Sequence, residues 1–201
     1  MNKLAAVNAV MRRLGKPVVA ALDTDGTSTP AYMERQLDDA IRQIQQRGWH
    51  WNAKYDVEAT ANGDGQIDVS ALEGVAEVFH VDTYGEDAST DVIRQGNYLY
   101  DRVEKSTTSF SGTLKLQYVY DVTWDQVPPA FQDWAVGQAA LNFNRFYGGD
   151  RSRDAVLDMD LRDSRSRAIQ DETRISDINI LDTEEMRQVR GRPRMRNRSV
   201  Y

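Results

Sequence analysis

The chain contains no cysteine, which excludes disulfide bonds, thiolate nucleophiles and cysteine-based zinc sites. It has two histidines, His50 and His80, and neither stands at a spacing that suits a metal site. No window of roughly 18 residues is apolar throughout, so the sequence predicts no transmembrane span. The N-terminal segment is soon interrupted by Arg12 and Arg13, and we therefore expect no secretory signal.

Motifs that indicate catalysis are also missing. There is no G-x-S-x-G elbow, and Gly148-Gly149 lacks the GK[ST] continuation of a phosphate-binding loop. Carboxylates are abundant, but no pattern distinguishes one pair of them as a general acid and base. The sequence therefore predicts no catalytic residue, no metal site and no cofactor.

Residues 62–68 (NGDGQID) resemble the centre of an EF-hand calcium loop. A complete loop needs an acid at its first position and a glutamate at its twelfth, where this chain has Thr60 and Ala71. The surrounding pattern is also typical of strands rather than helices. We interpret the segment as a turn built from asparagine, glycine and aspartate.

Charge is distributed unevenly along the 201 residues. The net charge is −6, but residues 186–201 contain no acid and six arginines: Arg187, Arg190, Arg192, Arg194, Arg196 and Arg198. The remainder of the chain is therefore more acidic than the net charge indicates. An acidic body with a basic end predicts a negatively charged partner for the arginines, either nucleic acid or the acidic body of a neighbouring copy.

Helical periodicity dominates the two ends of the chain. Apolar residues at spacings of three and four predict helices over 3–14, 30–47, a segment after Pro128-Pro129 that ends near Tyr147, and a fourth segment capped by Asp150. The second helix begins after Thr29, its expected N-cap, and ends before Gly48. The fourth is dense in arginine and aspartate, which is typical of a surface or inter-subunit helix.

The second helix leads into an aromatic segment. Trp49 and Trp51 flank His50, and strict alternation predicts that both indoles point to the same side at the start of a strand. We expect Arg47, Gly48, Trp49 and Trp51 to form a structural anchor. The simplest role for the two indoles is to cap an apolar core.

The period changes between residues 53 and 122. Segments rich in β-branched and aromatic residues are separated by clusters of glycine, asparagine, aspartate and serine, which predicts short antiparallel strands. The segments are Tyr55–Ala59, Val75–Val81, Asn97–Arg102 and Thr113–Val122. The fold class is therefore α+β: a helical bundle (1–52 and 123–175), an inserted antiparallel β meander or sandwich (53–122), and an extended basic C-terminal arm (176–201).

Several stretches carry a family resemblance in their order and spacing. They are residues 6–8 (AVN), 15–18 (GKPV), 43–49 (QIQQRGW), 97–102 (NYLYDR), Pro128 with Phe131 and Trp134, and 144–148 (NRFYG). The set resembles tail tubular protein A, the adaptor or gatekeeper family of T7-like short-tailed bacteriophages. The resemblance covers about residues 4–175.

This resemblance implies a structural role rather than an enzymatic one. Such adaptors form a ring of twelve copies under the portal, join it to the nozzle (tail tubular protein B) and surround the channel for double-stranded DNA. The implied location is the virion tail, after synthesis in the bacterial cytoplasm, without membrane insertion. The acidic body suits a conduit that must not hold its cargo, and a ring requires heterologous interfaces.

Two other functions remain open from the residues. One is a tail-associated hydrolase of polysaccharide or peptidoglycan, suggested only by the abundance of carboxylates and aromatics. The other is a nucleic-acid-binding module that works through the arginine-rich end.

The arm is expected to bind partners through two groups of residues. Its aliphatic side chains, Ile178, Ile180 and Leu181, should dock in a groove of the same or the next subunit. The six arginines should pair with carboxylates of the portal or of an adjacent adaptor.

Overall fold

The computed structural model describes residues 1–22, 26, 28–70, 72, 77–84, 90–147 and 150–182, with side chains as far as residue 175. These residues form two helices, then five strands, then a 3-10 turn and two more helices. The helices are α1 (Lys3–Arg13), α2 (Thr29–Gln45), α3 (Pro129–Phe146) and α4 (Arg151–Asp182). The strands are β1 (Ala53–Thr60), β2 (Val78–Thr83), β3 (Val92–Gln95), β4 (Tyr98–Asp101) and β5 (Thr113–Tyr120). The predicted α+β class is confirmed.

Helix α3 is the centre of the bundle and packs against the other three helices. Small residues of α3 allow the neighbouring helices to pack closely against it, and Gly137 is an example. A Cβ at this position would lie 2.9 Å from Nη1 of Arg13 and 3.4 Å from Cα of Leu161. The missing side chain therefore lets the α4 backbone approach α3 and leaves room for the Arg13 guanidinium between helices.

The predicted boundaries of α2 need two corrections. Ser28 is the N-cap, because its Oγ accepts a hydrogen bond from the backbone N–H of Ala31, and Thr29 is already helical. The helix ends at Gln45, two residues before the predicted end, and Gly48 follows with φ of +73°. Both serine and threonine suit a cap, so the sequence alone could not choose between neighbours.

The strands do not follow one another as a meander. The main sheet has the antiparallel order β1-β5-β2, and β3 pairs with β4 in a separate two-stranded sheet. Strand β1 leaves the bundle after α2 and β5 returns to it before α3, which brings the two ends of the insertion together. A second apolar core, which includes Leu99 and Leu116, lies within this insertion.

Residues 62–68 form a turn, as interpreted from the sequence. The side-chain oxygen of Asn62 accepts hydrogen bonds from the backbone N–H groups of Asp64 and Gln66. Gly65 has φ of +73°, and a Cβ there would lie 2.6 Å from the carbonyl oxygen of Thr108. The glycine is therefore required both by the backbone conformation and by the close approach of the backbone at Thr108.

Helix α4 extends farther than the sequence predicted. It starts after Asp150, whose side chain caps the first turn by accepting from the N–H of Ser152, and it continues to Asp182. The first seven residues of the predicted extended arm, 176–182, are therefore helical. Residues 183–201 lie outside the described part of the chain, and an extended conformation there stays a prediction.

Candidate assembly surfaces

Two buried amides connect the bundle to the β insertion. The side chain of Gln45 donates to the carbonyl of Val122 over 3.1 Å and accepts from its N–H over 2.8 Å. Asn52, fully buried, donates to the carbonyls of Gln45 and Tyr120 and accepts from the N–H of Trp49. These bonds join the chain that leaves the bundle to the chain that returns, so they fix the orientation of the insertion.

The predicted aromatic anchor lies beside this clamp, but its backbone is not a strand. Residues 49–52 form a turn, and β1 begins only at Ala53. Both indoles nevertheless contact the same ring, because the centroids of Trp49 and Trp51 lie 4.8 and 5.2 Å from that of Phe131. The turn thus places both indoles on the same side, as alternation in a strand was expected to do.

The other two residues of the anchor support the same junction. The Arg47 guanidinium lies 5.4 Å from the ring centroid of Trp134, and the Trp49 indole N–H donates to the carbonyl of Ile44. A Cβ on Gly48 would meet Cγ2 of Val119 at 2.8 Å. The role of these residues as an anchor stays a prediction, which a substitution of Trp49 tests below.

His50 connects the same junction to α4. Its backbone N–H donates to Glu172 over 2.8 Å, and its ring Nδ1 contacts the other carboxylate oxygen of Glu172. A groove of about 410 Å³ opens beside this pair, between the start of α3 and the side chain of Ile175. No local sequence signal pairs His50 with Glu172, because they lie 122 positions apart in the chain.

An acidic groove of about 270 Å³ lies between α2 and the segment that follows β5. We define it by three carboxylates and three apolar walls: Asp38, Asp39, Asp121, Ile41, Val122 and Trp124. Lys3 and Arg42 also reach it, but Lys3 is held by Glu34 and Asp38 and Arg42 by Glu77. With Glu34 and Glu77 included, this surface carries more negative than positive charge.

The pKa of Asp121 reflects this surplus. Burial of its carboxyl group is the main cause that raises the pKa above its usual value, and the nearby Arg42 guanidinium opposes the shift. Glu77 and Asp38 add to the increase through repulsion. A cation brought into the groove would therefore relieve repulsion between carboxylates.

A patch of opposite character lies at the other end of α2 and α3, away from the β insertion. We call it the distal patch and define it as Lys16, Val18, Tyr32, Arg35, Phe146 and Tyr147. Phe146 is 76% exposed, Val18 56% and Tyr147 47%. The ring centroids of Tyr32 and Tyr147 lie 5.3 Å apart, and the Arg35 guanidinium lies 5.7 Å from that of Tyr32. Exposed aromatics of this size are typical of a contact surface.

Helix α4 has one buried and one exposed face. Leu157, Ser164 and Ala168 are buried against the bundle, whereas Val156 and Met159 are exposed on the outer side. The aliphatic arm residues Ile178, Ile180 and Leu181 continue this helix, and their side chains are not described. The six arginines between Arg187 and Arg198 lie outside the described residues. Their assignment to partner binding is therefore a proposal.

Among the residues that the structure describes, no group of three or more histidine, aspartate and glutamate side chains could hold a metal ion. None of the helices in this part of the chain combines the length and the apolar character that crossing a membrane requires. Among the described residues the pKa values of Lys3, Asp121 and Asp150 are clearly shifted, and the causes are burial, ion pairs and capping hydrogen bonds.

Comparison with known proteins identifies the family. A family model described as tail tubular protein matches residues 4–178, which include α1 from its second residue, the whole β insertion and most of α4. A search of curated proteins finds no match. Because the family match covers most of the chain, the bundle and the insertion are both parts of the family fold. The chain belongs to the tail tubular proteins of bacteriophages and is a structural component of the virion tail.

Proposed function

We propose that this tail tubular protein is a head-to-tail adaptor that forms a ring around the channel for phage DNA. The ring holds twelve copies and lies between the portal protein and the nozzle protein, tail tubular protein B. In this position it is needed for tail assembly and for ejection of the genome. The observation that carries the proposal is the family match over residues 4–178, which spans both cores of the molecule.

The junction between the two cores supports a static role. An adaptor has to hold its contact surfaces at a fixed separation while neighbouring proteins bind above and below it. Hydrogen bonds from Gln45 and Asn52, both buried, fix the insertion to the bundle. Buried polar groups of this kind specify one orientation, because any other orientation leaves them without partners.

The charge of the chain supports a role as a conduit. The net charge is −6, so the body of the protein repels DNA rather than retaining it. Passage of double-stranded DNA without retention is the behaviour that ejection requires.

Assembly is measured directly by mass photometry and negative-stain microscopy of the purified protein, alone and with the portal and nozzle proteins of the same phage. We expect rings, formed by the protein alone or on the portal. A protein that remains monomeric at every concentration, and that binds neither portal nor nozzle, would refute the proposal.

The arginine-rich end is assigned to partner binding within this function. We expect deletion of residues 186–201 to leave the fold intact and to weaken ring or portal assembly, most at low salt, where exposed ion pairs are least screened. Each exposed ion pair contributes only about 0–1 kcal/mol, so the effect depends on repetition around the ring. Equal assembly of the full-length and shortened proteins at low and high salt would show that the arginines have no such role.

The same deletion separates protein binding from nucleic-acid binding. If the arginines serve DNA, the affinity for a duplex falls steeply with salt and is lost on truncation after Glu185, while ring assembly is unchanged. If they serve a protein partner, assembly weakens and the weak affinity for DNA changes little.

A further inference from the structure

We propose that neighbouring copies contact each other by inserting the distal patch of one copy into the acidic groove of the next. This inference rests on the proposed ring and names the two surfaces that form its repeating contact. The occupant of the distal patch is therefore a second copy of this chain. The two surfaces differ, so the contact is heterologous, which is the type that closes into a ring.

Shape and apolar character are complementary between the two surfaces. The distal patch offers a projecting aromatic side chain, because Phe146 is three-quarters exposed at the end of α3. The acidic groove offers a concave site with apolar walls, including Ile41 and the half-buried Trp124. Burial of an aromatic side chain in an apolar pocket is the usual centre of a protein interface.

Charge is complementary as well. Lys16 and Arg35 of the distal patch are exposed, and neither makes an ion pair within the described residues. The groove has a surplus of carboxylates, of which Asp39 is exposed and likewise makes no ion pair among the described groups. Contact between copies therefore offers these side chains partners of opposite charge.

The aliphatic and aromatic content of the distal patch favours a protein occupant over DNA. Phosphate binding needs cations and hydrogen-bond donors, but it makes no use of exposed Val18 or of a projecting Phe146. DNA is accordingly kept as an outcome of the test rather than as the expected occupant.

Charge reversal at two positions of the same chain tests the contact. The Lys16→Glu variant places a negative charge in the distal patch, opposite the negative Asp39 of the neighbouring copy. The Asp39→Lys variant places a positive charge in the acidic groove, opposite the positive Lys16 of the neighbouring copy. Each variant is expected to need at least about fivefold more protein for half-maximal assembly, because repulsion replaces attraction at every repeat. The double variant Lys16→Glu with Asp39→Lys restores the opposite charges and should assemble within about twofold of the wild type.

A mixture of the two single variants gives a sharper test. In an alternating ring, the patch of an Asp39→Lys copy meets a native groove, and the patch of a Lys16→Glu copy meets a reversed groove. Every contact then pairs opposite charges, so the equimolar mixture should assemble although neither variant does so alone. Mass photometry at low salt, with and without the portal ring, reads this out directly.

Matched controls exclude a general effect of surface substitutions. Phe146→Ser should weaken assembly, whereas Val156→Ser removes an exposed aliphatic residue from α4 and should not. Arg167→Glu, an exposed charge reversal on α4, should likewise assemble as the wild type does. Circular dichroism spectra and melting temperatures of all variants verify that the fold is retained.

Each remaining outcome overturns the inference in a distinguishable way. Rings that form normally from both single variants, or a double variant that is not rescued, would show that copies meet through other surfaces while the proposed function stands. Loss of duplex binding or of portal binding alone, with normal copy-to-copy assembly, would assign the distal patch to that partner. A wild-type protein that never assembles overturns this inference together with the proposed function.

Discussion

The hydrogen bonds between Gln45 and Val122 provide the most direct test of how the insertion is fixed to the bundle. Gln45→Met keeps a side chain of similar length and removes both the amide donor and the amide acceptor. The backbone N–H and C=O of Val122 then lose their partners at a site where both residues are buried. Each unsatisfied buried group costs about 1–3 kcal/mol, and local relaxation offsets part of the sum, so we expect a loss of about 2–4 kcal/mol.

The neighbouring residue supplies a matched control. Gln46 is exposed and its side chain makes no hydrogen bond to another described residue, so Gln46→Met should change the free energy of unfolding by less than about 0.5 kcal/mol. Equilibrium unfolding in urea, followed by far-ultraviolet circular dichroism, measures both variants. The four tryptophans pack on the core of the bundle, so their fluorescence follows that core separately.

Two results distinguish the possible outcomes. If the Gln45→Met variant has a lower urea midpoint but the same slope of unfolding free energy against urea concentration, the clamp stabilises one cooperative unit. If the Gln45→Met variant instead shows separate transitions in fluorescence and circular dichroism, the two cores unfold independently without the clamp. The clamp is then what makes them unfold together in the wild type. A Gln45→Met protein as stable as the Gln46→Met control would refute the reasoning, because the buried amide would then contribute nothing.

Further predictions concern the anchor, the turn and the groove. Trp49→Ala removes the ring contacts with Phe131 and Trp134 and should lower stability by about 3–5 kcal/mol in thermal unfolding, and a small effect would refute the anchor. Gly65→Ala places a Cβ at positive φ close to a carbonyl and should cost about 1–3 kcal/mol by urea unfolding, whereas Gly63→Ala, with open space around it, should be nearly neutral. Asp121→Asn should be more stable than the wild type at pH 7, because a raised folded-state pKa means that the ionised carboxylate is disfavoured on folding. That advantage should shrink as the pH falls through the raised pKa towards 3.8, and a difference independent of pH would contradict the assigned cause.

The sequence alone predicted the helices well because their signals are local. Apolar spacing, Pro129 at the start of α3 and the cap at Asp150 all act within a few residues, and the structure confirms the helices they mark. Helix ends were less certain, because neighbouring residues offer equivalent caps, as Ser28 and Thr29 do. The fourth helix continues past Ile175 because residues 176–182 (SDINILD) contain neither glycine nor proline, the two residues that disfavour a helix most.

The strands were predicted less completely than the helices, because local sequence patterns do not determine how strands pair. Periodicity indicated strands but not their order, because antiparallel pairing depends on which segments the rest of the chain brings together. Strand β3 was missed, since Val92–Gln95 is short and follows a polar stretch. The two tryptophan side chains point to the same side, as predicted, but the backbone there is a turn and not the predicted strand. Both a turn and a strand can place residues i and i+2 on one face.

Composition and local pattern by themselves determined the class of this protein: no cysteine chemistry, an acidic body with a basic end, a helical bundle and a β insertion. These properties depend on residue type and near neighbours, which the sequence states directly. Only the tertiary structure decided the β1-β5-β2 order, the clamp of Gln45 on Val122 and the pairing of His50 with Glu172. The acidic groove and the distal patch belong to the same group, because each is assembled from segments far apart in the chain, and packing rather than sequence spacing brings them together.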